Sequence, residues 1–340
     1  MDADVSAIVL NHNGRGYVEA AVRSLVEQVP PCLEVLVVDN DSRDGSAEEL
    51  LARFGDRIRL LRAPRNLGFG AGNNLGLRQV RGRYVLLLNN DAEASASLAR
   101  ELVAAAEADP RVGMVAAKVL DHRRRDLIDT TGHLLYPDGL NRGRGRLEVD
   151  RGQYDACSTA LFPSGAAGLY RRAMLDEIGL FDESFFLYGD DADLGLRGRI
   201  AGWGCAFAPR AVAYHHYSRT SGAYSSLKAF YVERNRVWVL LKVFPWSLVL
   251  LSPAYTLARL ALAAVGVVSG RGAASRLARD RGVAHLAVLT VKAYAAALRG
   301  LPRVLAERAR LRPLRRLDTA GFLRMLDEFR LTAGEAALKD

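Results

Sequence analysis

Three carboxylates, Asp190, Asp191 and Asp193, fall within the stretch FLYGDDADLGLR, residues 186–197, directly behind an apolar run. Such a group either caps a helix and forms ion pairs, or meets a cation or takes a proton from a substrate. Asp193 and Arg197 are spaced to pair on one helix face, and Asp190 can cap the helix that begins there. Asp191 is then the candidate general base. The structural alternative is that all three serve as caps and ion-pair partners.

Polar side chains and glycines follow four apolar runs in the first ninety residues. These groups are Asn11-His12-Asn13-Gly14, Asp39-Asn40-Asp41-Ser42, Arg65-Asn66-Leu67-Gly68 and Asn89-Asn90-Asp91. Because ligands of doubly wound sheets bind beyond the carboxyl ends of the strands, four such groups on one rim predict a binding site. Each group alone is equally typical of a turn.

Two of these carboxylates and one histidine suggest particular ligands. Asp91 closes the apolar strand YVLLLNNDAE and suits a hard divalent cation that bridges to substrate phosphates. Asp39 follows LEVLVV and can accept a hydrogen bond from a nucleobase or a ribose. His215 and His216 end the strand CAFAPRAVAYHH, where neighbouring side chains face opposite ways, so one of them can join a metal site. The alternatives are turn or capping carboxylates and a surface or core histidine.

The loop GFGAGNN, residues 68–74, resembles a dinucleotide fingerprint without matching it. The third glycine of G-x-G-x-x-G would fall at Asn73, and the loop follows the third strand instead of the first. This mismatch argues against a Rossmann dehydrogenase. Gly68 and its neighbours can still let the backbone approach a pyrophosphate at a helix start.

Strands and helices alternate over the first 120 residues. Strand-like runs occupy 5–10, 33–38, 58–61, 84–88 and 112–117, with helical patterns near 17–28, 46–54, 70–80 and 97–108. This order predicts an α/β fold with a mostly parallel, doubly wound sheet. Ser46 and Glu49 predict a capping box. Residues 121–155 predict a mobile loop, 164–181 a short strand and a helix, and 205–216 a further strand.

The bulk composition is that of a globular protein with anionic partners. The chain has 340 residues and a formal net charge of +9, which favours nucleotide phosphates, anionic lipid or nucleic acid as ligands. Its three cysteines, Cys32, Cys157 and Cys205, are far apart, so we expect neither a disulfide framework nor a zinc site. The acidic start lacks the basic region of a signal peptide, which predicts a cytoplasmic N-terminal half.

The composition changes near residue 237. Residues 243–258 carry no charge but contain Pro245 and Pro253, and they fall short of the roughly 20 apolar residues of a simple spanning helix. Residues 259–316 then contain 13 Lys or Arg against two acids. This pattern favours a helical extension, 237–340, lying in a membrane interface. Helices packed on the catalytic domain or on a second subunit, and spanning helices, are the alternatives.

Six motifs together resemble family 2 glycosyltransferases, in particular the rhamnosyltransferase-like bacterial branch. They are VSAIVLNHNG, LEVLVVDNDSRDGS, RNLGFGAGNNLGL, YVLLLNNDAE, SGAAGLYRRAMLDEIGLFDESFFLYGDDADLGLRGRIAGW and AVAYHHYSRTSG. The resemblance covers residues 4–242. It implies the GT-A fold for a catalytic domain, 1–236, with the helical extension following it.

The resemblance also implies site roles. Asn89-Asn90-Asp91 stands at the D-x-D motif, with Asp91 and His215 as ligands of Mg²⁺ or Mn²⁺, and Asp191 as the catalytic base. The implied nucleotide-sugar-binding residues are Asn11, Asp39, Asn66, Gly68, Asn73 and Asn90, and Asp190, Asp193 and Arg197 are expected to support the base. Two positions depart from the family pattern. Asn89 replaces the first Asp of D-x-D, and Asp190 replaces the Glu of the E-D pair.

The implied activity is inverting, metal-dependent sugar transfer from a nucleotide-diphosphosugar to a hydroxyl of a lipid-linked or cell-envelope glycan. dTDP-rhamnose is the first choice of donor, with UDP-galactofuranose, UDP-glucose and GDP-mannose open. We expect a peripheral protein on the cytoplasmic membrane face, with oligomerisation through the C-terminal helices possible. The competing hypotheses are a non-catalytic nucleotide-sugar-binding or scaffold protein, a sugar nucleotidyltransferase and a nucleic-acid-binding protein, for which no reader motif is found.

Overall fold

The computed structural model describes residues 4–32, 34–216 and 225–339. The chain divides into two compact units. Unit 1 comprises Met1–His133 and Gly143–Thr220, and unit 2 comprises Leu134–Arg142 and Ser221–Asp340. The division of function between residues 1–236 and 237–340 stays a prediction.

Strands and helices alternate through most of unit 1. The strands of the chain are β1 (Val5–Asn11), β2 (Glu34–Asp39), β3 (Arg59–Arg62), β4 (Tyr84–Asn89), β5 (Ala92–Ala94), β6 (Val112–Asp121), β7 (Ile128–Thr130), β8 (His133–Leu135), β9 (Asn141–Gly143), β10 (Ala167–Arg171) and β11 (Gly204–His215). The helices of unit 1 are α1 (Val18–Val26), α2 (Ser46–Phe54), α3 (Phe69–Leu77), α4 (Leu98–Glu107), α5 (Arg172–Ile178) and α6 (Asp190–Ile200). The predicted strands and helices of this region are confirmed.

Nine strands of the described residues form one sheet in the order β3-β2-β1-β4-β10-β6-β11-β5, with β7 added beside β6. β3, β2, β1 and β4 are parallel, as predicted. The other half is mixed, because β10 runs antiparallel to both β4 and β6. Strands buried on both faces read as continuous apolar runs, which is why β1 and β4 were evident in the sequence.

Two local expectations for unit 1 need correction. Ser46 does not cap α2, because Gly45 occupies the cap position in a left-handed conformation, with φ of 80°. Instead, Ser46 donates to Asp44 through its backbone N–H at 3.1 Å and its hydroxyl at 2.6 Å. The segment 121–155, predicted to be a loop, contains the short strands β7, β8 and β9. Its three-residue strands are too short to show a clear period.

Unit 2 is a set of helices with the small β8–β9 sheet. The helices are α7 (Ser226–Val243), α8 (Trp246–Ser269), α9 (Gly272–Arg281), α10 (Val283–Arg299), α11 (Leu301–Leu311), α12 (Thr319–Glu328) and α13 (Ala333–Leu338). Within unit 2, Leu135 connects the small sheet to the helical part. Its N–H donates to Phe329 O at 2.8 Å, and its carbonyl accepts from Leu331 N at 3.0 Å. Gly139 lies where a Cβ would come within 2.7 Å of Arg236 O, so only glycine fits there.

Helix α8 corrects the expectation that the apolar runs of the C-terminal region are separate and short. It runs unbroken for 24 residues, with Pro253 inside it. By length and apolar composition it could cross a membrane, and 17% of its most apolar 18-residue window is buried in the structure. Prolines and arginines interrupt the apolar pattern in the sequence, so this single helix was predicted as two separate apolar runs.

A charged cluster lies inside unit 2, and we call it the Arg259 cluster: Asp138, Glu233, Arg236 and Arg259. Arg259 donates to Asp138 at 2.7 Å and to both oxygens of Glu233 at 2.8 and 3.1 Å. Arg236 donates to Glu233 at 2.8 Å and to the Asp138 carbonyl at 3.0 Å. Burial would raise the pKa of Glu233, but the two arginines lower it to about 2. The charges of the two arginines thus balance those of the two carboxylates in this cluster.

Candidate active site

The ends of the parallel strands bring three of the predicted residues together. Asn11 of β1 lies opposite Asp39 of β2 in the sheet register. The Asn11 side chain donates to Ser46 at 2.9 Å and accepts from Asn90 at 3.2 Å. All of these side chains are buried, so Asn11 positions the turns that follow β2 and β4.

The carboxylate of Asp39 lies between the turn after β2 and the end of β3. It accepts from Ser42 N at 3.3 Å, and Arg62 NH1 lies 3.7 Å from its second oxygen. The distance of 3.7 Å exceeds that of a hydrogen bond, so Arg62 interacts with Asp39 by charge alone. The position fits the role of a nucleobase or ribose acceptor.

The glycine loop before α3 packs against the segment that leads into the acidic stretch. Asn66 accepts from Asn40 at 3.0 Å and from Gly68 N at 2.9 Å. Gly68 has φ of +82°, and a Cβ there would lie 2.2 Å from Phe186 O. Phe69 N also donates to Phe186 O at 2.6 Å. The loop and the acidic stretch therefore belong to one site.

Asn73 is placed differently from the other predicted nucleotide-sugar residues. Its side-chain amide donates to Phe69 O at 3.0 Å, one turn earlier in α3. The side chain is buried and its amide is engaged by its own helix. The structure thus gives Asn73 a local partner, whereas Asn66 and Gly68 lie at the loop itself.

The first acid of α6 does not cap the helix, which corrects our expectation for Asp190. Gly189 holds the cap position with φ of 78°, and no side chain there accepts a hydrogen bond. Both carboxyl oxygens of Asp190 are buried without a hydrogen-bond partner among the described residues, and one would lie 2.8 Å from a Cβ at Gly70. Burial, together with the charge of Asp191, raises the pKa of Asp190 well above its usual range.

Asp193 and Arg197 form the predicted ion pair. The Arg197 Nε donates to Asp193 at 2.8 Å, and both side chains are almost fully buried. The guanidinium also donates to the carbonyls of Ile178, at 2.8 Å, and of Leu180, at 2.7 Å. This pair therefore ties α6 to the end of α5 and holds the start of α6 in place.

Asp191 is the acid of α6 that retains access to solvent, with 20% of its side chain exposed. Its two oxygens accept hydrogen bonds from Gly165 N at 3.2 Å and from Ala192 N at 2.9 Å. The His133 Nε2 lies 3.8 Å away, and the His133 ring stacks on Phe162 with centroids 4.7 Å apart. A carboxylate held by backbone N–H groups and open on one side suits a general base.

His215 lies between two carboxylates. Its Nε2 is 3.2 Å from Asp91, its Nδ1 is 2.7 Å from Asp129, and Asp129 in turn pairs with Arg146. We call these four residues the His215 cluster. Burial alone would lower the pKa of His215, but its hydrogen bonds to Asp129 and Asp91 and their charges raise it to about 10. Burial would raise the pKa of Asp91, but His215 lowers it.

Three residues of this site were missed in the sequence. Asp129, His133 and Arg146 all come from the segment 121–155, whose polar composition is typical of a loop. Asp129 lies 86 positions from His215, so no local spacing could link them. The available signal was weak: an acid and a histidine, four residues apart, within a segment rich in Arg and Gly.

The donor set at Asp91 and His215 fits a divalent cation. A carboxylate oxygen and an imidazole nitrogen 3.2 Å apart have about the spacing of adjacent ligands around one ion of Mg²⁺ or Mn²⁺ size. Asp129 holds the other ring nitrogen, as carboxylates commonly do behind metal-binding histidines. Asn89 supplies no charge at the first D-x-D position, so Asp91 is the carboxylate of the motif.

The chain belongs to Glycosyl transferase family 2, whose family model matches residues 6–179, just over half of its length. It is similar to an N-acetylglucosaminyl-diphospho-decaprenol L-rhamnosyltransferase of Mycobacterium tuberculosis, with 24% identity over 68% of this chain and 85% of the relative. It is also similar to an uncharacterized protein of Sinorhizobium fredii, with 31% identity over 64% of this chain. The alignment spans only 25% of that longer relative.

A solved structure shows the same fold. It is a mannosyltransferase from Pyrobaculum calidifontis in complex with GDP-Man and Mn²⁺, with a TM-score of 0.52 and 21% identity. The match covers 92% of this chain and 85% of the mannosyltransferase. The predicted GT-A fold with C-terminal helices is confirmed, as is the likeness to the rhamnosyltransferase branch of the family.

Proposed function

We propose that the protein transfers a sugar, with inversion, from a nucleotide-diphosphosugar to a hydroxyl of a lipid-linked or cell-envelope glycan. The observation that carries this proposal is the partial exposure and the hydrogen bonding of Asp191. Asp191 is the partly exposed acid at the start of α6, and within the described residues its hydrogen bonds come from backbone N–H groups. Such a carboxylate is free to accept a proton from an acceptor hydroxyl.

In the proposed reaction, Asp191 removes the proton as the acceptor oxygen bonds to the anomeric carbon. The bond from that carbon to the diphosphate breaks, and its electron pair leaves with the nucleoside diphosphate. Asp39 would orient the nucleobase or ribose, and Asn66 and Gly68 would shape the loop near the diphosphate. Asp91 and His215 would hold a divalent cation, which when bound stabilises the charge of the leaving diphosphate.

The proposed donor is dTDP-rhamnose and the proposed acceptor is a polyprenyl-diphosphate-linked sugar. Both are supported by the name of the mycobacterial relative, which is a rhamnosyltransferase acting on N-acetylglucosaminyl-diphospho-decaprenol. The choice of donor rests on this similarity. UDP-galactofuranose, UDP-glucose and GDP-mannose are the donors to compare.

The proposed location is the cytoplasmic face of a membrane, with unit 2 in contact with anionic lipid. Helix α8 exposes large apolar side chains, with Leu250 at 78%, Leu257 at 68% and Val268 at 91%. Residues 270–316, which follow α8, carry 12 basic residues against two acids, Asp280 and Glu307. Apolar side chains beside arginines fit a bilayer surface, and a lipid-linked acceptor would be reached there. Sedimentation with anionic vesicles, but not with neutral ones, would support this location.

The activity is tested by measuring donor binding and sugar transfer with the whole chain. We expect dTDP-rhamnose with Mn²⁺ to raise the melting temperature more than the other three donors, because a ligand of the native state stabilises it. We then expect labelled rhamnose to appear on polyprenyl-diphosphate-linked N-acetylglucosamine. Transfer of another sugar would correct the donor alone. Hydrolysis or binding without transfer to any glycan acceptor would contradict the proposed activity.

A further inference from the structure

A second group of possible metal ligands lies beside the His215 cluster. Glu93, His122 and His216 place one ligand atom each within 4.8 Å of one another. None of the three belongs to the D-x-D motif, and the site proposed above does not use them. Two imidazoles and one carboxylate form a ligand set that zinc enzymes commonly use.

Strand ends, rather than flexible loops, hold these three residues. Glu93 lies in β5 opposite Tyr214 of β11. His122 directly follows β6, and its N–H donates to His215 O at 2.9 Å. His216 directly follows β11, and its N–H donates to Asp91 O at 3.0 Å. The backbone thus fixes the three side chains at one edge of the sheet.

The side chains already contact one another. The His122 Nε2 is 2.7 Å from Glu93, and the rings of His122 and His216 stack with centroids 3.6 Å apart and planes 26° apart. A tetrahedral Zn²⁺ site, with bonds of about 2.0–2.2 Å, needs ligand atoms roughly 3.4 Å apart. The three ligand atoms lie within 4.8 Å of one another, so binding an ion would require them to approach by about 1 Å. Both His122 and Glu93 are partly exposed, so an ion can enter.

The arginines next to Glu93, His122 and His216 do not block this group of possible ligands. Arg124 pairs with Asp126 at 3.1 Å, and the Arg125 guanidinium lies over the ring of Tyr214 at 4.2 Å. Asp121 accepts hydrogen bonds from the N–H groups of Arg123 and Arg124 at 2.9 and 2.7 Å. Neighbouring acids or rings therefore occupy two of the three arginines that follow His122.

We propose that Glu93, His122 and His216 bind a divalent transition-metal ion such as Zn²⁺, at a site separate from that of Asp91 and His215. The ion would join the end of β6 to β5 across β11, the strand that ends in His215. Its expected effect is to stabilise the strand ends that carry Asp91 and His215. This inference does not depend on the proposed sugar transfer, because metal binding is measured directly.

The test titrates Zn²⁺ into the whole, chelator-treated chain by calorimetry, with Co²⁺ absorption to report tetrahedral coordination. We expect one Zn²⁺ per chain and a rise in melting temperature. His122→Ala and His216→Ala should each weaken Zn²⁺ binding by at least about 100-fold, since even the loss of an outer partner costs 10–100-fold. Glu93→Gln should weaken binding less. His285→Ala, which removes a histidine from unit 2, is the matched control and should bind as the original chain does.

Asp91→Asn separates the two sites, because it should retain Zn²⁺ binding. Failure of the original chain to bind Zn²⁺, unchanged affinity in His122→Ala, or loss of binding in Asp91→Asn alone would each overturn the proposal. His122→Gln keeps part of the hydrogen-bonding ability of the histidine side chain. It therefore distinguishes the loss of a metal ligand from a folding defect. Its melting temperature in chelator should match that of the original chain while its Zn²⁺ binding is lost.

Discussion

The Arg259 cluster of unit 2 and the acidic start of α6 in unit 1 both bury charge, but they balance it differently. In the Arg259 cluster, two arginines meet two acids and each guanidinium has several acceptors. At the start of α6 there are three acids, and Arg197 forms its ion pair with Asp193. Among the described residues, no arginine or lysine pairs with Asp190 or Asp191, and His133 lies 3.8 Å from Asp191. Removing one partner of a matched buried pair destabilises a fold. An acid without a cation either takes up a proton, as the raised pKa of Asp190 indicates, or is a candidate for chemistry, as we propose for Asp191.

In its balance of charge, the His215 cluster is intermediate between the Arg259 cluster and the start of α6. Asp129 is matched by Arg146 and His215, but His215 is the one side chain that hydrogen-bonds to Asp91 within the described residues. Asp91 therefore keeps an oxygen for a ligand, while Asp129 serves the histidine. Under the proposed function, Asp138 and Asp193 have structural roles, Asp129 a positioning role, and Asp91 and Asp191 the roles of metal ligand and general base.

The largest expected effect on stability comes from opening the Arg259 cluster. Asp138→Ala leaves Arg259 and Arg236 short of an acceptor in a buried site, so we expect the free energy of unfolding to fall by about 3–5 kcal/mol. Urea unfolding followed by tryptophan fluorescence measures this. Asp327→Ala is the control, because its ion pair with Arg330 is exposed, and it should change stability by less than about 0.5 kcal/mol. Equal losses of stability in Asp138→Ala and Asp327→Ala would contradict the structural role of the Arg259 cluster.

Asp129→Asn should weaken metal binding without removing a ligand. The substitution keeps a hydrogen bond to His215 Nδ1 but removes the charge behind it, so Mn²⁺ affinity should fall by about 10–100-fold. Calorimetric titration of Mn²⁺ in the presence of nucleoside diphosphate measures the change. Asp126→Asn, an exposed acid of the same segment, should have no effect. Retained affinity in Asp129→Asn would remove its positioning role.

The pKa of His215 predicts how its contribution to stability varies with pH. In the folded, metal-free chain it is raised to about 10, above the usual value of about 6.5. The protonated ring therefore stabilises the fold fully below about pH 6.5, and this contribution is lost as pH rises through about 10. The stability difference between the original chain and His215→Gln should shrink over that range. A difference that grows with pH would mean that the ring is neutral in the fold.

Asp190→Asn should raise stability slightly, whereas His215→Gln should lower it, although both native groups lose stabilising effect as pH rises. Because the pKa of Asp190 is raised in the fold, the unfolded chain releases this proton first, and the stability of the original chain falls as pH rises above about 4. Asparagine carries no proton to lose and has a similar shape. The variant should gain melting temperature relative to the original chain between pH 5 and pH 8. A relative loss over that range would place a charged carboxylate at Asp190.

Much of the fold of unit 1 could be predicted from the sequence, because its signals are local. β1, β2 and β4 are continuous apolar runs, and each ends in the polar group that the structure places at the strand end. The pairing of Asp193 with Arg197 was also predictable from their spacing, whereas the role of Asp191 stays a prediction. The failures at Ser46 and Asp190 have one cause. Glycines with positive φ, Gly45 and Gly189, took the cap positions that we assigned to polar side chains.

The remaining misses depend on contacts that are distant in sequence. Asp129 and His133 lie in strands of three residues, which are too short for a periodic pattern. Helix α8 was divided at Arg259, a charge that seemed to end an apolar run. Its partner Asp138 lies 121 positions away, and pairing with it lets the helix continue with the arginine buried. Such balance of charge is visible only in the folded chain.

The most direct test of the central claim is the transfer rate of Asp191→Asn at saturating donor, with donor binding measured in parallel. The account predicts a fall in transfer of about 10²–10⁴-fold, because proton removal from the acceptor is lost, while donor affinity is largely retained. Asp176→Asn, which changes an exposed acid of α5, should transfer at the original rate. Transfer by Asp191→Asn at the original rate would contradict the account and would leave the unmatched acid without its catalytic role.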